Sequence, residues 1–92
     1  MVAAGQYGID PSAKAIMANL TAVAGTSFTF LSAYPSDAAS RPNVSDVNVA
    51  AGQVLPNLTA ITLSGGGTPG EFNLYNALGT INAIVDVEGW FK

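Results

Sequence analysis

Asp86 and Glu88 stand two apart in an extended run, so their side chains would share one strand face. A general acid/base pair or an oxygen-ligated cation would use that arrangement. A glycosidase pair also needs a cleft, and a chain this short leaves little wall to build one. Calcium takes about six to eight oxygens, whereas the other acids, Asp10, Asp37, Asp46 and Glu71, are spread along the sequence without loop spacing. The pair reads as a solvated strand face. With no cysteine and no histidine, thiol nucleophiles, histidine-based triads and the usual zinc sites are excluded. The reading is of a non-enzyme with no catalytic residue, no metal and no cofactor.

Aromatic side chains offer different chemistry, because a flat ring can cover the apolar face of a sugar while polar neighbours hold its hydroxyls. Tyr7, Tyr34, Tyr75 and Trp90 are the candidates. Trp90 and Phe91, at the chain end, are expected to plug the bottom of the core. Tyr34 and Tyr75, each beside a turn, and Arg41 in a Ser/Ala/Pro/Asp-rich stretch, are the ligand-binding candidates. Asparagine recurs at strand positions (Asn19, Asn48, Asn57, Asn73, Asn76, Asn82), where it is normally depleted. Its expected role is to satisfy backbone groups or face solvent. Asn19, Asn43 and Asn57 open glycosylation sequons that matter only in a host with that machinery.

Ninety-two residues make one domain, 1–92, with room for a single two-layer core. Hydrophobic residues are 49% and charged ones 10%, with Lys14, Arg41 and Lys92 against six acids. Nucleic acid is a poor partner for three scattered cations. No apolar run approaches the roughly 20 residues of a membrane-spanning helix, so membrane insertion is not expected. A basic segment followed by an apolar one is missing at the N-terminus, and an export signal would have to sit on a longer parent.

The elements that must position these residues read as strands. Residues 2–10 look like the tail of an edge strand closed by Asp10-Pro11. Residues 15–24 are apolar at nearly every position, as in a strand covered on both faces. Residues 28–34 alternate Phe28, Phe30, Ser32 and Tyr34 against Thr29, Leu31 and Ala33. The stretch from Pro35 to Pro42 is expected to cross between sheets. Residues 44–49 and 54–63 follow, with Pro56 restricting the second to an edge, a bulge or a strand start. The glycine-rich run 64–70 reads as a flexible loop tip. Residues 71–77 and 80–87 flank Leu78-Gly79 and read as a hairpin. Six or seven short strands with Gly/Pro/Asn/Asp turns predict an all-β fold, a single β-sandwich of mostly antiparallel strands, Ig-like or jelly-roll-like.

The ordered set Ala18-Asn-Leu-Thr-Ala-Val23, Tyr34-Pro35, Arg41-Pro42, Val47-Asn-Val49, Ala51-Gly-Gln53, Pro56-Asn-Leu58, Leu74-Tyr-Asn76, Gly79 and Val85-Asp-Val-Glu-Gly-Trp-Phe91 resembles a known module. It is the extracellular β-domain of streptomycetes and related actinobacteria, often in tandem or attached to secreted hydrolases. The resemblance implies a non-catalytic accessory module, extracellular or at the cell surface within a longer secreted parent. Family members begin with an upstream strand rich in Arg, Leu, Asp and Thr. This sequence does not include it, which implies either truncation there or completion of the sheet by another chain. Two functions remain open at this point. One is binding of cell wall or other polysaccharide through Tyr34, Arg41 and Tyr75. The other is a structural spacer or self-associating β-domain, a homo-oligomer through an edge strand.

Overall fold

A computed structural model describes residues 1–6, 8–42, 45–66 and 69–92. Tyr7, Asn43 and Val44 therefore lie outside the described residues, and with them one aromatic candidate, one sequon and the start expected for the third strand. Among the described residues six strands form: β1 (Ala15–Val23), β2 (Thr29–Pro35), β3 (Val47–Val49), β4 (Val54–Thr62), β5 (Phe72–Asn76) and β6 (Asn82–Phe91). They make two antiparallel three-stranded sheets, ordered β4-β1-β6 and β3-β2-β5. The chain is an all-β fold, consistent with a small β-sandwich.

Alternation explains which face each strand buries. In β1, Ile16, Ala18, Leu20 and Ala22 are fully buried while the residues between them are half-exposed. In β2 the core face carries Thr29 and Leu31, which leaves Phe30, Ser32 and Tyr34 on the outer face. Two apolar clusters fill the space between the sheets. One gathers Ile16, Ala18, Ile61, Leu63 and Phe72 with Ala3, Ile9 and Ala13 from the N-terminal segment. The other gathers Leu20, Ala22, Leu31, Val47 and Val49, and Val85 packs against both. Pro56 sits in β4, an edge strand, one of the positions where a residue without an N–H is tolerated.

Several expectations change. Residues 15–24 form the central strand of their sheet but are covered on one face only. β5 and β6 are not a hairpin, because β5 pairs with β2 and β6 with β1. The Leu78-Gly79 connection instead crosses between the sheets, clamped to the β1–β2 connection beside it. The Leu78 N–H donates to the Thr29 hydroxyl at 2.9 Å, the Thr80 N–H donates to the Thr26 hydroxyl at 3.0 Å, and Asn76 Nδ2 donates to the Gly79 carbonyl at 2.9 Å. Conversely, the stretch after Pro35 stays within one sheet, since β2 and β3 are neighbours.

Trp90 and Phe91 do not seal the core; they are 43% and 54% exposed. β6 is an edge strand, and the chief contacts between the sheets run from β2 and β3 to β1 and β4. The ladder also shifts register at Met17/Ala18, pairing Met17 with Gly89 and Ala18 with Val87. Glu88 is thus an extra residue in a bulge, which interrupts the alternation expected to join it to Asp86. At the N-terminus, Val2 bridges Glu71, and Met1 and Phe72 exchange backbone bonds at 2.6 and 2.9 Å, so the chain start lies along β5. Gly65 and Gly66, in the glycine-rich run, are tethered, since the Asp37 carboxylate accepts their N–H groups, each at 3.1 Å, while Gly67 and Thr68 of that run lie outside the described residues.

Candidate functional site

The outer face of the β3-β2-β5 sheet carries the ligand-binding candidates. Register pairs Ser32 with Tyr75 and Tyr34 with Asn73, so Tyr34 and Tyr75 share that face and stand diagonal to one another. Arg41 arrives from the β2–β3 connection and lays its guanidinium over the Tyr75 ring, 4.1 Å from the centroid. Phe30 completes the group: its ring lies 6.0 Å from that of Tyr75 and 5.7 Å from the guanidinium carbon. Phe30 was not among the candidates from sequence. The signal for it was present in the alternation Phe30, Ser32, Tyr34, which places it on the Tyr34 face.

The connection that delivers Arg41 is fixed at both ends. Near its start, Asp37 is bonded to the glycine-rich run and the Ser36 N–H donates to the Glu71 carbonyl at 3.3 Å. At its end, the Asp46 N–H donates to the Leu31 carbonyl at 2.8 Å, and the Asp46 carboxylate accepts the Ala33 N–H at 2.7 Å and the Thr59 hydroxyl at 3.1 Å. Asn57 donates to the Asp46 carbonyl. Asn57 and Asn76 therefore do what asparagine in a strand was expected to do, satisfying backbone oxygens.

Arg41 donates one N–H to the Pro42 carbonyl at 3.3 Å and has no carboxylate partner among the described residues. A guanidinium stacked on a ring keeps its donors in the plane of the fork, ready for planar acceptors. Ser32, between Phe30 and Tyr34 and opposite Tyr75, is fully buried, and its hydroxyl has no partner among the described residues.

Elsewhere the chemistry is sparse. Among the described residues no three His, Cys, Asp or Glu side chains group to hold a metal ion, and no helix is long and apolar enough to cross a membrane. Asp10 accepts the Ser12 hydroxyl at 2.6 Å and the Ser12 N–H at 2.8 Å, and pairs with Lys92 Nζ at 2.9 Å. The Ser12 hydroxyl first, and Lys92 next, hold its carboxyl well below the usual carboxylate range. An apolar cavity of about 70 Å³ lies between the N-terminal segment and strands β5 and β6, lined by Met1, Val2, Ile9, Phe72, Val85 and Val87 among others. It is too small for a sugar ring, and its lining side chains are apolar. The fold and this site define a small antiparallel β-sandwich with a cation–aromatic platform on one outer face. Comparison with protein-family models, with curated proteins and with solved structures gives no match.

Proposed function

We propose that this chain is a non-catalytic accessory module, part of a secreted or cell-surface protein, that binds cell wall or other polysaccharide. Tyr34, Arg41 and Tyr75 carry the binding, with Phe30 beside Tyr75. The observation that carries this reading is Arg41 held on the Tyr75 ring at 4.1 Å, with no carboxylate partner among the described residues. Its ring contact leaves the fork's edge for hydroxyl or carboxylate oxygens, while Tyr34 beside it offers a ring to the apolar face of a sugar. The ordered likeness to the actinobacterial extracellular β-domain supports the same setting.

Polysaccharide pull-down and glycan-array binding test the reading. Binding to a wall or plant polysaccharide is expected, weakened about tenfold or more by Tyr34→Ala, Arg41→Ala or Tyr75→Ala, a loss of about 1.4 kcal/mol each. Absence of binding to every such polysaccharide, or binding that survives all three substitutions, rejects it.

A further inference from the structure

The second sheet covers one face of β1 and leaves the other, Ala15, Met17, Asn19, Thr21 and Val23, uncovered. The antiparallel register carries the uncovered face across both neighbours, placing Leu58 beside Asn19, Val54 beside Val23, Ile84 beside Thr21 and Phe91 beside Ala15. Leu58 is 60% exposed and Ile84 51% exposed. Of the fifteen ladder positions on this face, five from each strand, Asp86 beside Asn19 is the one that carries a charge. Two of the three net negative charges thus lie elsewhere. A sheet face with a single charge that exposes Val54, Leu58, Ile84 and Phe91 around the polar Asn19 and Thr21 has the character of an interaction surface.

We propose that a second copy of this chain covers this face, sheet upon sheet. Three strands of nine residues span about 14 by 30 Å. Two such faces with their side-chain relief remove on the order of 1,000 Å² from water, the lower bound of a specific interface. Twisted sheets pack in this aligned manner at about 30°, as in the core of a sandwich. A two-fold axis along β1 sets β6 of one copy over β4 of the other. That arrangement keeps the two Asp86 carboxylates on opposite rims, about 10 Å apart, each facing Leu58 of the other copy. The platform of Arg41 and Tyr75 lies on the opposite side of the sandwich, so pairing leaves it uncovered.

Sedimentation velocity of the whole chain, from micromolar to millimolar concentration, tests this. The unaltered chain is expected to dimerise. Leu58→Glu places a carboxylate against Asp86 of the second copy and should weaken pairing about 100-fold or more. Leu58→Lys places an ammonium there and should stay within about tenfold of the unaltered chain. Circular dichroism confirms that both variants keep the sheet, as expected for a side chain this exposed. A strict monomer at millimolar concentration overturns the proposal, as does a dimer indifferent to Leu58→Glu, which would pair through a strand edge. A lysine variant as dissociated as the glutamate one overturns the two-fold arrangement.

Discussion

Asp10 shows how much of this molecule's electrostatics is local. Its carboxylate is held by a hydroxyl and an N–H two residues away and by Lys92, joining the first turn to the chain end. A native pKa below the ordinary value near 4 means that the ionised form stabilises the fold above that pH, and that the benefit is lost as pH falls through the native value. Asp10→Asn should therefore melt below the unaltered chain at neutral pH, with the gap shrinking once pH drops below about 4. Melting curves between acid and neutral pH check this; a gap that is the same at both ends rejects it. At the candidate site, sequence alone picked out Tyr34, Arg41 and Tyr75, because turns flank the tyrosines and a Pro/Ser-rich stretch holds the arginine. It did not indicate that Arg41 folds back over Tyr75, since that contact depends on Asp37 and Asp46 pinning a long connection. Nor did it indicate Ser32, whose hydroxyl has no partner among the described residues, a consequence of burial and not of residue type.

At the level of the elements, the connection between β5 and β6 decides the topology. Gly79 has φ 65°, and a Cβ there would run into the Thr26 and Ser27 hydroxyls. Gly52 has a similar φ of 76° but open space around it. Gly52→Ala should thus cost only the left-handed backbone penalty, about 1–2 kcal/mol. Gly79→Ala should cost clearly more, because the clash displaces the clamp that Thr26 and Thr29 make on the connection. Thermal melts of the two variants side by side would show it, at about 4–8 °C per kcal/mol for a domain this size; equal losses would mean the clamp yields without cost. The strands themselves were legible: a run apolar at nearly every position marks β1, alternation marks β2 and β6, and turn residues bound β4 and β5, each to within a few positions. Their partners were not. Alternation says which side chains share a face, but it is silent on which strand lies alongside, and Gly79 suits a hairpin turn and a crossing between sheets equally well. The hydroxyls that chose the crossing lie about fifty residues away in sequence.

Across the whole molecule, two apolar clusters sit end to end between the sheets, one around Ile16, Ile61 and Phe72 and the other around Leu20, Leu31 and Val49. The principal extents of 37 × 27 × 16 Å match two layers about 10 Å apart. Both clusters draw on β1, and Val85 touches each, so neither can lose its packing without loosening the strand they share. The all-β, two-layer outcome follows from composition and strand length, but the split of β1 between two clusters, Ile16 and Ala18 in one and Leu20 and Ala22 in the other, was not legible from the strand alone. Leu20→Ala opens the second cluster and Ile61→Ala the first; each should cost about 2–5 kcal/mol. That is a large share of the roughly 5–15 kcal/mol a domain has in total. Because the clusters are joined through β1, both variants should lower one and the same cooperative transition, followed in parallel by circular dichroism and by Trp90 fluorescence. Trp90 lies across the ladder from Ile16, at the end of the first cluster. If the clusters were separate folding units, Leu20→Ala would shift the circular-dichroism transition while leaving the Trp90 transition in place, and the single-unit reading would fail.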